Sequence, residues 1–160
     1  MKMKQSHWKT YALWAVFTEA VGALAGLLTR KGTSLYAEYI IKPPLSPPAP
    51  VFPIVWAILY ALLGIGAARV YLTPASAARS RGLRLFLIQL ALNFLWTLIF
   101  FNLQAFGLAF IELAILWALI LMMTFAFGRT DRLAALLQIP YLIWVLFAGY
   151  LNFGVWLLNG

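Results

Sequence analysis

Gln89, Asn93, Trp96 and Phe100 stand at i, i+4, i+7 and i+11 of one apolar run, a spacing that stacks them on a single helical face. Amides set beside aromatic rings can do two things. They can join helices by hydrogen bonds, worth on the order of 1 kcal/mol per contact in a bilayer. They can also line a pocket that stacks a flat ligand and orients its polar edge. Tyr141, Trp144, Ala148 and Asn152 repeat the pattern in a later run, and Ala148 leaves room between larger neighbours. Trp56 and Tyr60 form a further aromatic pair one turn apart. Aromatic faces converging from three segments favour a cavity for a flat apolar molecule.

Two carboxylates, Glu19 and Glu112, fall inside apolar runs. Acids at membrane depth are costly and mark proton or ligand paths. Neither has a basic partner at the centre of its own run, though Arg69 or Arg84 could reach one near an interface. A proton-coupled carrier using this pair is one reading, and protonated, hydrogen-bonded acids are the other. Glu19 shares its face with Gly22 and Gly26, a small-xxx-small spacing that lets helices approach closely within one chain or across a dimer.

Other chemistries are excluded by composition. The chain has no cysteine and a single histidine, His7, near the N-terminus. Disulfides, thiolate sites and Cys nucleophiles are impossible, and a zinc site or a doubly His-ligated haem has no ligand set. No phosphate loop or nucleophile–base pair is present, so no metal or obligatory cofactor is expected. The net charge of +8 could suggest nucleic acid. The basic residues lie between apolar runs, however, where they set membrane topology, and no nucleic-acid partner is expected.

The elements that position these residues follow from hydrophobicity. Of 160 residues, 64% are hydrophobic and 10% charged, against roughly 45–50% and about 25% in soluble domains. Lipid is therefore the solvent for most of the chain. Five apolar runs cover 11–29, 51–72, 83–101, 105–127 and 133–158. Each is near the ~20 residues needed to cross a bilayer, and unpaired backbone groups are not tolerated in hydrocarbon, so each run is a helix. The expectation is one all-α membrane domain, a bundle of five transmembrane helices. Pro53 suits the first turn of the second helix, Thr73–Pro74 ends it, Asn102 and Gln104 mark a short turn, and Pro140 predicts a kink or an adjusted first turn in the last run.

The connection 30–50 is the one long loop, and six prolines fall between Lys42 and Pro53. Proline fixes φ and removes a donor, so this stretch is stiff and is expected to roof the cavity. Nine basic residues, Lys2 and Lys4 among them, lie on the N-terminal side of the bundle, and only Arg30, Lys31 and Lys42 on the other. The positive-inside rule then puts the N-terminus in the cytoplasm and the proline loop outside.

Together the segments KPPLSPPAPVFPIVWAILY, QLALNFLWTLIFF, IELAILW and PYLIWVLFAGYLNF resemble the TspO/MBR family of tryptophan-rich sensory and translocator proteins, the peripheral-type benzodiazepine receptors. The resemblance implies a multi-pass membrane receptor or carrier, often a homodimer, in a bacterial cell membrane. It implies a cavity beneath the first loop that binds porphyrins such as protoporphyrin IX, haem-like tetrapyrroles, sterols and benzodiazepine-type drugs. Roles proposed in the family include transport, stress sensing and light-dependent porphyrin breakdown. Carried onto this chain, the pocket uses Trp56 of FPxxW with Tyr60 one turn on, Asn93 and Trp96 of LNxxW with Phe100, and Trp144 of PYxxW with Ala148. Glu112 falls where relatives often carry an acid. A light-driven activity would use Trp144 or Trp56 as redox relay. The chain departs from relatives by carrying Pro44, Leu45 and Pro50 where many have loop tryptophans, and Phe153 and Leu157 at the positions of the animal sterol pattern. Stacking is thereby expected from the helices rather than the loop.

Overall fold

The computed structural model describes residues 7–160, so the topogenic Lys2 and Lys4 lie outside the described residues. It is all-α. The elements are α1 (Trp8–Leu28), α2 (Arg30–Tyr39), α3 (Val51–Tyr71), α4 (Ala77–Thr97) continued by a π turn (Leu98–Asn102), α5 (Phe106–Gly128), α6 (Arg132–Leu136) and α7 (Ile139–Asn159). Among the described residues, five helical segments are long and apolar enough to cross a membrane, the last being α6 and α7 together. The five expected spans are therefore present, with shifted ends.

The shifts have local causes. The third span starts at Ala77 rather than 83 because Ser76 caps it, its side chain accepting from Arg79 N at 3.1 Å. Its helix thus begins in the polar stretch before the lipid-facing residues. Asp131 caps α6 by accepting from Leu133 N and Ala134 N, and its carboxylate lies 2.9 Å from Arg69 Nε at the end of α3. That contact is an ion pair without hydrogen-bond alignment. Arg69 is therefore committed to Asp131, and not to an intramembrane glutamate. Pro140 sits in the first turn of α7, where a missing N–H costs nothing, and the chain breaks just before it. Half of the loop 30–50 is the helix α2; only 40–50 is irregular.

Three pairings dominate the bundle: α1 lies along α3, and α5 lies along both α4 and α7. The α1–α3 contact is close because Gly64 admits it. A Cβ there would meet Ala15 Cα at 2.7 Å and Trp14 O at 2.8 Å. Thr18 Oγ1 donates to Tyr60 O at 2.7 Å across the same contact. Behind this pair runs a buried polar chain. Asn93 Nδ2 donates to Tyr141 Oη at 2.7 Å, Tyr141 donates to Gln89 Oε1 at 2.7 Å, and Gln89 Nε2 donates to Phe86 O at 3.0 Å. Tyr60 Oη reaches Asn93 Oδ1 at 3.5 Å. Polar groups in hydrocarbon cost several kcal/mol each when unpaired, so this chain fixes the register of α3, α4 and α7.

Candidate functional site

The proline segment does not arch freely over the bundle. It runs down the side of α7, making one contact after another. At its upper end Asn159 behaves as a peptide group: Nδ2 donates to Ile41 O at 2.8 Å and Oδ1 accepts from Ile41 N at 3.0 Å. Next, Pro43 packs on Gly154, where a Cβ would overlap its ring. Then Tyr150 Oη donates to Pro44 O at 2.8 Å. At the lower end Phe52 meets Trp144 edge-on with ring centroids 5.9 Å apart. Hydrogen bonds of this kind add about 0.5–1.5 kcal/mol each, so the segment is tied along its length rather than hinged at one point.

Beneath and beside this segment lies a cavity of about 680 Å³, inside the 300–1,000 Å³ range of small-molecule sites. Trp56 and Tyr60 enter it from α3, Trp96 from α4, Phe100 from the π turn, and Trp144 and Ala148 from α7. Six of the seven residues expected to bind a ligand are thus brought to one cavity. Trp96 and Phe100 stack, with centroids 5.1 Å apart and planes at 27°. The π turn enables this pairing, since its extra residue re-aims Phe100 and Phe101 after a regular helix. Trp56 and Trp144 meet edge to face at 6.4 Å.

Asn93 is the exception, and a correction. It does not line the cavity. It is 1% exposed, and its amide is engaged by Tyr141 and Tyr60 behind the wall. Of the two readings of the amide face, Gln89 and Asn93 occupy the hydrogen-bonding one. The amide that reaches the cavity is Asn152, one turn beyond Ala148 on the same stripe. Asn152 Oδ1 accepts from Trp96 Nε1 at 3.0 Å, and its Nδ2 donates to Phe106 O at 2.9 Å. It orients the Trp96 ring. The sequence signal for it was present, since Tyr141, Trp144, Ala148 and Asn152 fall on one face.

The two acids part company. Glu19 lines the cavity, half-buried on α1. Glu112 is buried on α5 and does not line it, and neither carboxylate oxygen has a hydrogen-bond partner. Gly22 packs against the Tyr60 ring, so the small-residue face of α1 is used within the chain. A Cβ on Gly26 would meet nothing within 4 Å. At the rim, Lys42 Nζ donates to Ala37 O and Ile40 O at 3.2 Å, capping α2, and stands 5.0 Å from the Tyr36 ring centre. Burial between Phe100 and Phe101 pushes the Tyr36 phenol up, so it is a neutral hydroxyl at the rim. Arg30 is exposed and outside the lining. Among the described residues no group of three His, Cys, Asp or Glu side chains could hold a metal ion. The Trp144 indole N–H is buried with no hydrogen-bond partner among the described residues.

An all-α membrane bundle with an aromatic cavity between its spans and a proline segment tied along its last helix defines a class of multi-pass membrane protein. The TspO/MBR family model matches residues 14–157, and the chain belongs to that family. It is 38% identical over 151 residues to the tryptophan-rich protein TspO of Chlorobaculum tepidum, covering 94% of this chain and 96% of that one. It is 35% identical to protein CrtK of Rhodobacter capsulatus, over 93% and 92% of the two chains. It is 32% identical to the translocator protein of Bos taurus, over 84% and 81%. Relatives occur in both bacteria and mammals, so the family assigns the chain to no single kind of membrane.

Proposed function

We propose that the chain is a membrane receptor or carrier that binds flat apolar molecules of the porphyrin class, with protoporphyrin IX and haem-like tetrapyrroles foremost and benzodiazepine-type drugs as further ligands. The observation that supports this reading is a cavity of about 680 Å³ lined together by Trp56, Trp96, Phe100 and Trp144. A ring system held there gains stacking of about 0.5–1.5 kcal/mol per well-placed aromatic pair beyond its area burial. Its acidic edge would meet Lys42 at the rim. The proposal includes a homodimer and a bacterial cell membrane as its setting.

The test uses the protein's own fluorescence. Protoporphyrin IX should quench tryptophan emission saturably in detergent. Replacing Trp56, Trp96 and Trp144 by Phe should weaken the affinity by about tenfold or more, or ~1.4 kcal/mol. Undiminished affinity in the triple variant would refute the pocket. A second reading is light-driven oxidation of the bound porphyrin by oxygen, favoured by the Trp56–Trp144 contact beside the cavity. Illumination should then give a new absorbing product with the intact protein and none with the triple variant.

A further inference from the structure

The cavity is lined by two charged side chains of opposite sign, Lys42 and Glu19, and only one of them is engaged. Lys42 at the rim donates to Ala37 O and Ile40 O. Glu19 stands on α1 nine residues before its end at Leu28. That is about 13–14 Å down at 1.5 Å per residue, close to the middle of a core ~30 Å thick. No base meets it. The one ion pair among the described residues joins Arg69 to Asp131. Arg69 is also the only charged residue of α3, and it lies about 13–14 Å beyond Tyr60 by the same rise. On α1 the other charge is Lys9, about 15 Å away. The bases of α4 end at Arg84, nine residues before the Asn93 that reaches Tyr60. Arg30 and Lys31 follow α1 at its upper end and are exposed. Beside Glu19 the cavity is aromatic. Gly22, three residues on, seats the Tyr60 ring against α1, since a Cβ there would overlap it. Trp56 lies over Tyr60, with centroids 5.6 Å apart and planes at 33°. Glu19, Trp56 and Tyr60 line one space. A carboxylate at membrane depth is costly unless a cation meets it. Aromatic rings attract cations too, quaternary ammonium groups in particular.

We propose that the lower end of the cavity is a site for organic ammonium ions, in which Glu19 pairs with the charged nitrogen and Trp56 and Tyr60 pack against its alkyl groups. The ligand class is a lipophilic amine or quaternary ammonium ion on a flat aromatic body, and that body lies against Trp96, Phe100 and Trp144. Lys42 sets the orientation, because it repels the ammonium at the rim while Glu19 draws it down. A wall of apolar rings alone would not separate such a cation from its uncharged counterpart; Glu19 does. The site rests on the cavity and its one unpaired charge, and not on porphyrin binding.

Two pyrene probes of matched shape make the test. (1-Pyrenylmethyl)trimethylammonium and 1-pyrenylmethanol share a ring system and differ in charge, and pyrene accepts tryptophan emission. Each is titrated into the full chain in an uncharged detergent, and affinities from saturable quenching are corrected for micelle uptake measured without protein. The wild-type chain should bind the ammonium at least tenfold more tightly than the alcohol. Glu19→Gln should bring the two affinities within twofold of each other. Glu19→Asp, which keeps the charge on a shorter stem, should hold a preference of at least threefold, and it serves where the Gln variant does not fold. Equal wild-type affinities overturn the site without any variant. So does a preference that survives Glu19→Gln, both affinities falling together, or one that is lost in Glu19→Asp. Protoporphyrin IX is titrated alongside. Quenching by it with no ammonium preference removes this site alone. No quenching by it with the preference intact removes the porphyrin reading and leaves this site standing.

Discussion

The two halves of the α1–α3 pair are built from the same residue types and do opposite things. In the half toward the basic side, Gly64 lets backbones touch, and Gly66 abuts the Gln138 amide. In the half toward the proline segment, Gly22 faces a tyrosine ring and Gly26 faces open space. Glycine therefore carries no fixed meaning along these helices. Where the facing residue is small or backbone, it closes the bundle. Where the facing residue is held off by an aromatic ring, it leaves a cavity. Tyr60 is the boundary, with its carbonyl in the tight half and its ring under the cavity.

The largest break in this comparison should come from adding one methyl group to each half. Gly64→Ala forces backbone apart in the tight half and should cost about 1–3 kcal/mol or more. Gly26→Ala fills only open space and should stabilise by about 0.5–1 kcal/mol, the helix preference of alanine over glycine. Unfolding of both variants in one detergent checks this; equal losses would dissolve the distinction between the halves. Tyr141→Phe comes next. It removes the acceptor of Asn93 and the donor to Gln89 and should cost about 1–3 kcal/mol, since buried partners are left unpaired. Because Tyr141 does not line the cavity, protoporphyrin affinity should fall less than on Trp96→Phe in the same quenching titration. The smallest effect is expected from Asn159→Ala. It loses the two bonds to Ile41 at an exposed site, about 1 kcal/mol in all. Faster hydrogen exchange of the Ile41 amide, with global stability nearly unchanged, is the expected readout.

The five spans were legible because lipid leaves a chain little choice: long apolar runs must be helices. Pro140 announced the adjusted start of α7 and Thr73–Pro74 the end of α3, since proline acts locally. What was not legible depended on partners far along the chain. Asn93 looked like pocket wall because its helical face was right, but Tyr141, 48 residues on, takes its amide. The α2 helix was hidden in RKGTSLYAEY, which is short, mixed in polarity and carries a glycine. The tie along α7 was invisible because its donors, Asn159 and Tyr150, sit at the end of a different span. Gln89–Phe100 and Tyr141–Asn152 could be read as faces from spacing alone. Which members of each face look into the cavity was decided by helix rotation and by the π turn.

In the proposed function one aromatic cavity, shut against the proline segment and bounded by Trp56, Trp96 and Trp144, holds the ligand. The direct measurement is a structure of the chain with protoporphyrin IX in lipid nanodiscs. Macrocycle density is expected above the Tyr60 ring, in contact with all three tryptophans, with the Asn159–Ile41 tie intact. Density outside the bundle, for example in the lipid-facing groove of Val55, Ile143 and Phe147, with the internal cavity collapsed, would contradict it.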